Sequence, residues 1–249
     1  MTVDDRPAAD RAELPVAAPD APPSSDPRGG PSRWNEASFR VFHAVIGTLT
    51  RVAFRVRIEN HPRLDGAYVL AGNHTSFLDP LVLGAAMRRR ITFMMTSIVY
   101  RSPKLGWFYR WMHTIPVTMR GANTTSLREA RSSLGRGEVL GIFPEGGISR
   151  DGDLLLGSPG AVSLVLSEGV PVVPVGLEGV DFALPFGAAV PRPAKIVVRF
   201  GDPIAAADLG TGRSRKQRLQ TATVRLMREI ARLSGRRARE DVLGFAPDS

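Results

Sequence analysis

Two side chains suited to acid–base chemistry lie close together in the first third of the chain. His74 and Asp79 belong to the segment 73–80, which directly follows the apolar run 68–71. That run predicts a buried strand that ends near the histidine. If the chain then turns into a helix at Pro80, the Asp79 carboxylate can accept a hydrogen bond from the imidazole. Such a pair would supply the base and the orienting acid of a catalytic triad.

The sequence offers no matching nucleophile, since it contains no cysteine and no serine in a G-x-S-x-G turn. We therefore expect the imidazole to activate a hydroxyl group of the substrate. A structural interpretation competes with this one. Aspartate followed by proline is also a typical helix start, with Asp79 as the N-cap, and a histidine at a strand end is often satisfied by a backbone carbonyl. Taken alone, the pair does not establish catalysis.

Length and composition limit the possible classes. With 249 residues, 43% of them hydrophobic, the chain can build one substantial α/β core. The absence of cysteine excludes disulfides, thiolate nucleophiles and thiolate zinc sites. The four histidines are scattered, and no metal-ligand cluster stands out. We therefore expect no metal and no bound cofactor.

Two different segments precede the predicted core. Residues 1–32 hold seven of the 20 prolines and are expected to form a disordered tail. Residues 33–58 combine aromatic and aliphatic residues with arginines, and we assign them as an amphipathic helix that associates with a membrane surface. Their longest uncharged run has ten residues, whereas a membrane-spanning helix needs about 20. An ordinary helix packed on the domain is the alternative.

The positive charge is concentrated near the end of the chain. Residues 211–240 contain ten Lys or Arg and two Asp or Glu, which gives +8 of the formal net charge of +9. Apolar residues recur there at three-to-four spacing, so we predict a basic C-terminal helix within residues 209–240, followed by a tail at 241–249. Phospholipid headgroups, an acidic protein, nucleic acid or solvent alone could face its arginines.

The core between these segments alternates strands and helices, which favours a largely parallel sheet flanked by helices. Strands are predicted at residues 68–71, 91–95, 114–117, 139–143, 172–177 and 196–200, and helices at 81–87, 105–112, 123–134 and 160–168. Because parallel strands end at one edge of a sheet, His74, Arg120, Glu145 and Gly176 are expected to share one cleft.

Four blocks together resemble the glycerolipid acyltransferase family, whose type member is the bacterial 1-acylglycerol-3-phosphate acyltransferase. They are Asn-His-Thr-Ser-Phe-Leu-Asp-Pro at 73–80, Ile-Pro-Val-Thr-Met-Arg-Gly at 115–121, Phe-Pro-Glu-Gly-Gly-Ile-Ser at 143–149 and Val-Pro-Val-Val-Pro-Val-Gly at 170–176. The resemblance implies a single α/β domain of the glycerol-3-phosphate acyltransferase type, with an acyltransferase core over residues 59–208.

The resemblance also implies an activity. The enzyme would move a fatty acyl group from acyl-CoA or acyl carrier protein to a hydroxyl of a lysophospholipid, foremost 1-acylglycerol 3-phosphate, in phospholipid biosynthesis. It would work at the cytoplasmic face of an anionic membrane as a peripheral protein, without a metal. By the same resemblance, His74 is the general base, Asp79 orients it, Arg120 clamps the phosphate of the acceptor and Glu145 places the acceptor.

The third block departs from the family pattern. Gly147 and Ile148 occupy the positions where the family continues with threonine and arginine, so one expected cation is missing, and Arg150 is a candidate replacement. The exposed amides of Gly146 and Gly147 are candidate donors to an oxyanion. In the alternative interpretation, Glu145 is a turn residue whose carboxylate accepts hydrogen bonds from these same two amides.

Two other functions stay open. One is the same chemistry on a different acceptor, such as a lyso-aminolipid, a glycolipid or a specialised metabolite. The other is a non-catalytic membrane or nucleic-acid binding protein that uses the arginines between residues 213 and 239, although nucleic acid is not the expected partner.

Overall fold

A computed structural model of the chain describes residues 33–101, 106–117 and 124–238. The strands are β1 (Arg57–Glu59), β2 (Tyr68–Gly72), β3 (Ile91–Thr96), β4 (Ile115–Val117), β5 (Val139–Ile142), β6 (Val172–Glu178) and β7 (Val197–Phe200). The helices are α1 (Arg33–Ala53), α2 (Asp79–Ala86), α3 (Ser97–Tyr100), α4 (Gly106–Trp111), α5 (Thr124–Gly135), α6 (Pro159–Glu168), α7 (Val180–Ala183), α8 (Ala206–Leu209) and α9 (Arg215–Ser234).

The seven strands form one sheet in the order β1-β7-β6-β2-β5-β3-β4. All neighbouring strands are parallel except β6 and β7, which pair antiparallel. The predicted fold class, a largely parallel sheet flanked by helices, is therefore confirmed. The six predicted strands all form, each with boundaries within one residue of the prediction. Strand β2 lies in the middle of the sheet, so the residues that follow it reach the centre of its carboxyl edge.

Helices cover both faces of the sheet, which explains why its central strand is apolar throughout. Every residue of β2 is buried. Val69 and Ala71 face the core that contains α6 and α9, whereas Tyr68 and Leu70 face the core that contains α2. This alternation along β2 follows from the two-residue repeat of a strand, and it holds the end of β2 rigidly between two packed layers.

The N-terminal helix ends earlier than predicted. It stops at Ala53 instead of residue 58, because the chain turns at Arg55, where φ is 43°. The residues beyond the turn form the edge strand β1, which pairs with β7 and was not predicted. Phe54 is buried in the core, and Val56 packs against it. The apolar residues after Ala53 therefore belong to the sheet side of the domain and not to a helix face.

The C-terminal helix is also shorter than the segment assigned to it. Ser214 and Gln217 form a reciprocal cap at the start of α9, and Gly235, with φ of 68°, ends the helix. Leu226 and Ile230 of α9 are buried. Within the described part of the segment 209–240, the basic helix therefore covers Arg215–Ser234. The tails predicted at 1–32 and 241–249 lie outside the described residues.

Candidate active site

The imidazole of His74 lies just beyond the carboxyl end of β2 and is oriented by Asp79. Its Nδ1 atom lies 2.8 Å from Asp79 Oδ2. Asp79 opens α2, and Pro80 follows it within the first turn, so the chain reverses direction between the two side chains. The five-residue spacing thus produces the predicted histidine–carboxylate pair.

The Asp79 carboxylate is fully buried and accepts three hydrogen bonds through a single oxygen. Besides the His74 ring, Oδ2 accepts the backbone N–H groups of Thr75 at 2.6 Å and Ser76 at 2.8 Å. Its Oδ1 has no hydrogen-bond partner among the residues described. Burial raises the pKa of Asp79, while the ring and the two amides favour the charged form and oppose that rise.

The alternative interpretation of Asp79 as an N-cap is wrong. Leu78 occupies the N-cap position of α2, and no side chain caps the helix there. The Asp79 carboxylate instead points back to the residues that precede the helix. It therefore fixes the turn that carries His74.

The His74 ring is held in place and keeps one nitrogen available. It stacks on Phe143, with ring centroids 4.3 Å apart and planes 16° apart. The side chain is 18% exposed. When Nδ1–H donates to Asp79, Nε2 carries the lone pair. Because Nε2 has no hydrogen-bond partner within the described ranges, it can accept a proton from a bound hydroxyl.

Glu145 lies beside His74 but bonds to the main chain. Its Oε1 accepts the His74 backbone N–H at 2.8 Å, and its Oε2 accepts the Leu155 N–H at 2.7 Å. Burial raises the pKa of Glu145 to about 7, against the opposing effect of these two amides. The alternative in which Glu145 accepts the Gly146 and Gly147 amides is therefore wrong, because the hydrogen bonds that its carboxylate accepts among the described residues come from His74 and Leu155.

The loop that follows β5 is fastened to the His74 turn. The Ser149 N–H donates to the His74 carbonyl at 2.8 Å, and the Ser158 N–H donates to the Pro144 carbonyl at 2.7 Å. The Gly146 N–H donates to the Phe143 carbonyl at 3.1 Å, so its predicted role as an open oxyanion donor is wrong. The Gly147 N–H has no acceptor in the described part of the chain, and it stays a candidate donor.

The structure gives a different result for each of three other predicted site residues. Arg120 lies outside the described residues. Arg150 is exposed, and its guanidinium carbon lies 4.1 Å from the centroid of the Phe186 ring. Gly176 does not line the cleft as expected, since it faces α9. A Cβ at this position would lie 2.2 Å from the carbonyl carbon of Leu233, so the glycine permits close approach of the helix.

Two buried polar residues complete the site and were not predicted to do so. The Asn73 side chain donates to the Leu177 carbonyl at 2.9 Å and accepts the Leu177 N–H at 2.7 Å, which joins β2 to β6. The Ser76 hydroxyl donates to the Leu184 carbonyl at 2.8 Å. Their only signal in the sequence is their position, polar and next to His74, between a buried strand and a helix.

An apolar cleft lies between α1 and α2. It is lined by Ile46, Pro80, Leu81, Phe93 and Met112, among others. The Phe93 ring stacks on Phe143 at 6.1 Å, and Phe143 in turn stacks on His74. A chain of aromatic contacts therefore connects the imidazole with the cleft.

Comparison with known proteins gives two kinds of result. Residues 53–178 match the model of the Acyltransferase family. A 1-acyl-sn-glycerol-3-phosphate acyltransferase of Bacillus subtilis is 27% identical over 179 residues, which is 72% of this chain and 86% of the relative. A chloroplastic 1-acyl-sn-glycerol-3-phosphate acyltransferase of Brassica napus is 30% identical over 133 residues, or 53% of this chain. The matched part spans 38% of the Brassica protein.

A solved structure has a similar fold. The crystal structure of the 1-acyl-sn-glycerophosphate acyltransferase PlsC from Thermotoga maritima superposes with a TM-score of 0.63 and 23% sequence identity. The match covers 82% of this chain and 85% of that chain.

Proposed function

Because the chain belongs to the Acyltransferase family, we propose that it transfers a fatty acyl group from a thioester to the free hydroxyl of a lysophospholipid. The acceptor with the most support is 1-acylglycerol 3-phosphate, since the bacterial and plant relatives carry the name of that activity. The product would be a diacylated phospholipid precursor, which places the reaction in phospholipid biosynthesis. The thioester is acyl-CoA or acyl carrier protein.

The observation that carries this proposal is the His74–Asp79 hydrogen bond, which leaves Nε2 without a hydrogen-bond partner among the described residues. Nε2 takes the proton of the acceptor hydroxyl as its oxygen attacks the thioester carbonyl. The tetrahedral intermediate collapses, the C–S bond breaks, and the thiolate receives the proton back from the imidazolium. Asp79 stabilises that imidazolium during the reaction. The chain has no cysteine, and direct acyl transfer from the thioester to the acceptor needs no protein nucleophile.

The proposal also assigns roles to the residues around the His74–Asp79 pair. The Gly147 amide is the candidate donor to the oxyanion. Glu145 shapes the acceptor site through the main chain, because it joins the His74 turn to Leu155. Arg120 and Arg150 are the candidate contacts to the phosphate of the acceptor. Strand β4 ends at Val117 on the same sheet edge, three strand spacings or about 14 Å from β2.

The acyl chain would occupy the apolar cleft between α1 and α2. Its lining is almost entirely apolar, and Phe93 and Phe143 lead from it to His74. Trp111 packs on Phe39 and Phe42 of α1 and closes the side of this region. Trp111 therefore packs against helix α1, and Met112 contributes to the cleft wall.

Peripheral membrane attachment is supported by the two faces of α1. One face packs on α2, where the His43 ring contacts the Gly84 carbonyl at 2.9 Å and Arg51 donates to the Ala85 carbonyl at 2.7 Å. The other face exposes four aliphatic side chains at helical spacing, which are Val41, Val45, Leu49 and Val52. Within the described ranges, no helix has the length and apolar character needed to traverse a bilayer.

An exposed apolar stripe flanked by arginines suits a helix in the headgroup layer. We therefore propose that α1 rests on the cytoplasmic face of an anionic membrane. The lipid acceptor would then reach His74 from that surface.

A product analysis tests the proposed function. The purified full chain is incubated with oleoyl-CoA and, separately, oleoyl-acyl carrier protein, and with a panel of acceptors whose products are measured by mass. We expect conversion of 1-oleoylglycerol 3-phosphate to the diacyl product. Ile148 motivates inclusion of lyso-aminolipids and lyso-glycolipids, because acylation of one of these in preference to the phosphate acceptor would assign the same chemistry to another acceptor. No acylated product from any pair would support a non-catalytic binding protein instead.

A further inference from the structure

An exposed stack of side chains borders the catalytic turn. The Phe77 ring, three residues after His74, stacks on Phe186 with centroids 6.1 Å apart. The Arg150 guanidinium lies on the same Phe186 ring, 4.1 Å from its centroid. Phe77 is 57% exposed and Phe186 is 46% exposed. Large aromatic side chains with this much exposure contribute little to a core, so their arrangement calls for another explanation.

Backbone contacts fix the three loops that supply this stack. The hydroxyl of Ser76, next to Phe77, donates to the carbonyl of Leu184, which lies two residues before Phe186. Ser149, next to Arg150, donates its N–H to the His74 carbonyl. The Ser149 hydroxyl also donates to the carbonyl of Asp153. The stack is therefore anchored to the His74 turn from two sides. Arg150 directly follows Ser149, whose N–H donates to the carbonyl of the catalytic histidine.

Arg150 has no competing partner in the part of the chain that the structure describes. Among the described residues it has no hydrogen bond and no ion pair, and its guanidinium lies over the Phe186 ring. Arg192, on the same loop as Phe186, differs because its Nε donates to the Phe182 carbonyl at 3.1 Å. Stacking uses the face of a guanidinium and leaves its N–H edge available for an anion. A planar fork of donors at the rim of the site matches the oxygens of a phosphate.

We infer that Phe186, supported by Phe77, is a positioning residue that holds Arg150 at the mouth of the site and thereby selects acceptors with an anionic phosphate. This inference rests on the proposed function and names the device that selects its substrate. It also explains how the chain can dispense with a cation at position 148, where Ile148 stands. The guanidinium is supplied two residues later and is held by an aromatic ring from a different loop.

Steady-state kinetics with two matched acceptors tests the inference. The full chain is assayed with 1-oleoylglycerol 3-phosphate and with 1-oleoylglycerol, which lacks the phosphate, in mixed detergent micelles. We expect Arg150→Gln to raise KM for the phosphate acceptor about tenfold or more, because it removes charged hydrogen bonds. Phe186→Ala should raise this KM about two- to fivefold. The kcat for the phosphate acceptor, and both KM and kcat for 1-oleoylglycerol, should change little. Phe186→Trp should restore the wild-type KM.

Two controls separate positioning from general effects. Phe182→Ala removes another exposed phenylalanine, 72% exposed, from the neighbouring helix α7. Arg63→Gln removes one exposed arginine that precedes β2, at the opposite edge of the sheet from His74. Neither should change the ratio of the two KM values. In the Arg150→Gln background, Phe186→Ala should have no further effect on that ratio, since the ring acts through Arg150.

The outcomes distinguish this inference from the proposed function. If the wild-type chain acylates the phosphate acceptor but Phe186→Ala leaves the KM ratio unchanged, the positioning role is wrong and the proposed function stands. Equal losses with both acceptors would also overturn it, because they would show a structural role. If the wild-type chain acylates neither acceptor, the proposed function fails and the inference fails with it.

Discussion

Replacement of Asp79 by asparagine separates the electrostatic role of this residue from its shape. Asparagine can place its carbonyl oxygen where Oδ2 accepts the His74 ring and the amides of Thr75 and Ser76. Its NH₂ group then occupies the buried position of Oδ1, for which the described residues provide no partner. A buried donor without an acceptor costs about 1–3 kcal/mol, so we expect the free energy of unfolding to fall by that amount.

The effect on catalysis should be larger than the effect on stability. The transition state carries an imidazolium next to Asp79, and the charge of the aspartate stabilises it. At a charge separation of about 4 Å and an effective dielectric constant of about 20, that interaction is about 4 kcal/mol. Each 1.36 kcal/mol is tenfold in rate, so kcat of Asp79→Asn should fall about 10³-fold, with little change in KM.

The assay follows thiol release from oleoyl-CoA together with formation of the diacyl product, and urea unfolding provides the stability of each variant. Asp65→Asn is the matched control, because Asp65 is exposed and precedes β2 at the other edge of the sheet. If Asp79→Asn is folded and keeps kcat within about threefold of the wild type, the proposed stabilisation of a cationic imidazole by Asp79 is wrong.

Three further predictions concern the surroundings of the site. The pKa of Glu145 is raised from 4.5 to about 7 in the folded chain, so the native state binds more protons than the unfolded state between these values. Stability should therefore fall by about 3 kcal/mol as pH rises from about 4.5 to above 7, and urea unfolding of Glu145→Gln should show a shallower pH dependence. The double variant Val45→Glu/Leu49→Glu should reduce sedimentation with anionic vesicles about tenfold or more, since two exposed apolar side chains are replaced by anions; unchanged sedimentation would move the anchor to α9. Gly141→Ala would place a Cβ 2.5 Å from Phe93 Cδ1, and we expect a loss of about 1–3 kcal/mol from overpacking, measured by urea unfolding. An unaltered stability would show that the aromatic layer behind His74 is loosely packed.

The sequence predicts the hydrogen-bonded pair of His74 and Asp79 because its geometry is local. His74 and Asp79 are separated by one turn between a strand and a helix, and both elements have clear signals in the apolar pattern. The order of motifs along the chain then predicts that Glu145 lies near His74, since both follow parallel strands. These relations need no knowledge of side-chain packing.

The remaining features depend on which strands are neighbours. Glu145 reaches the His74 amide across 71 residues, and Asn73 reaches Leu177 across 104 residues. Both contacts follow from the position of β2 between β5 and β6. An alternating strand–helix pattern does not specify that order, so the two backbone N–H donors to Glu145 and the role of Asn73 could not be predicted.

The end of the first helix could not be predicted from the sequence for a different reason. The apolar residues Val56 and Ile58 fit the periodicity of the preceding helix and also fit a short strand. The partner of this strand, β7, begins at Val197, and no local pattern reports a partner so distant in sequence. The positive φ of Arg55 is equally hidden, because arginine has no special preference for that conformation.

The role of His74 as the base can be measured in one experiment with His74→Ala and the control His61→Gln, whose histidine lies before β2. Transfer of a labelled acyl group to 1-oleoylglycerol 3-phosphate is followed together with vesicle binding. We predict that His74→Ala lowers the transfer rate about 10²–10⁴-fold and binds vesicles like the wild type. The control His61→Gln should stay active. Wild-type transfer by a folded His74→Ala protein would contradict the assignment of His74 as the general base.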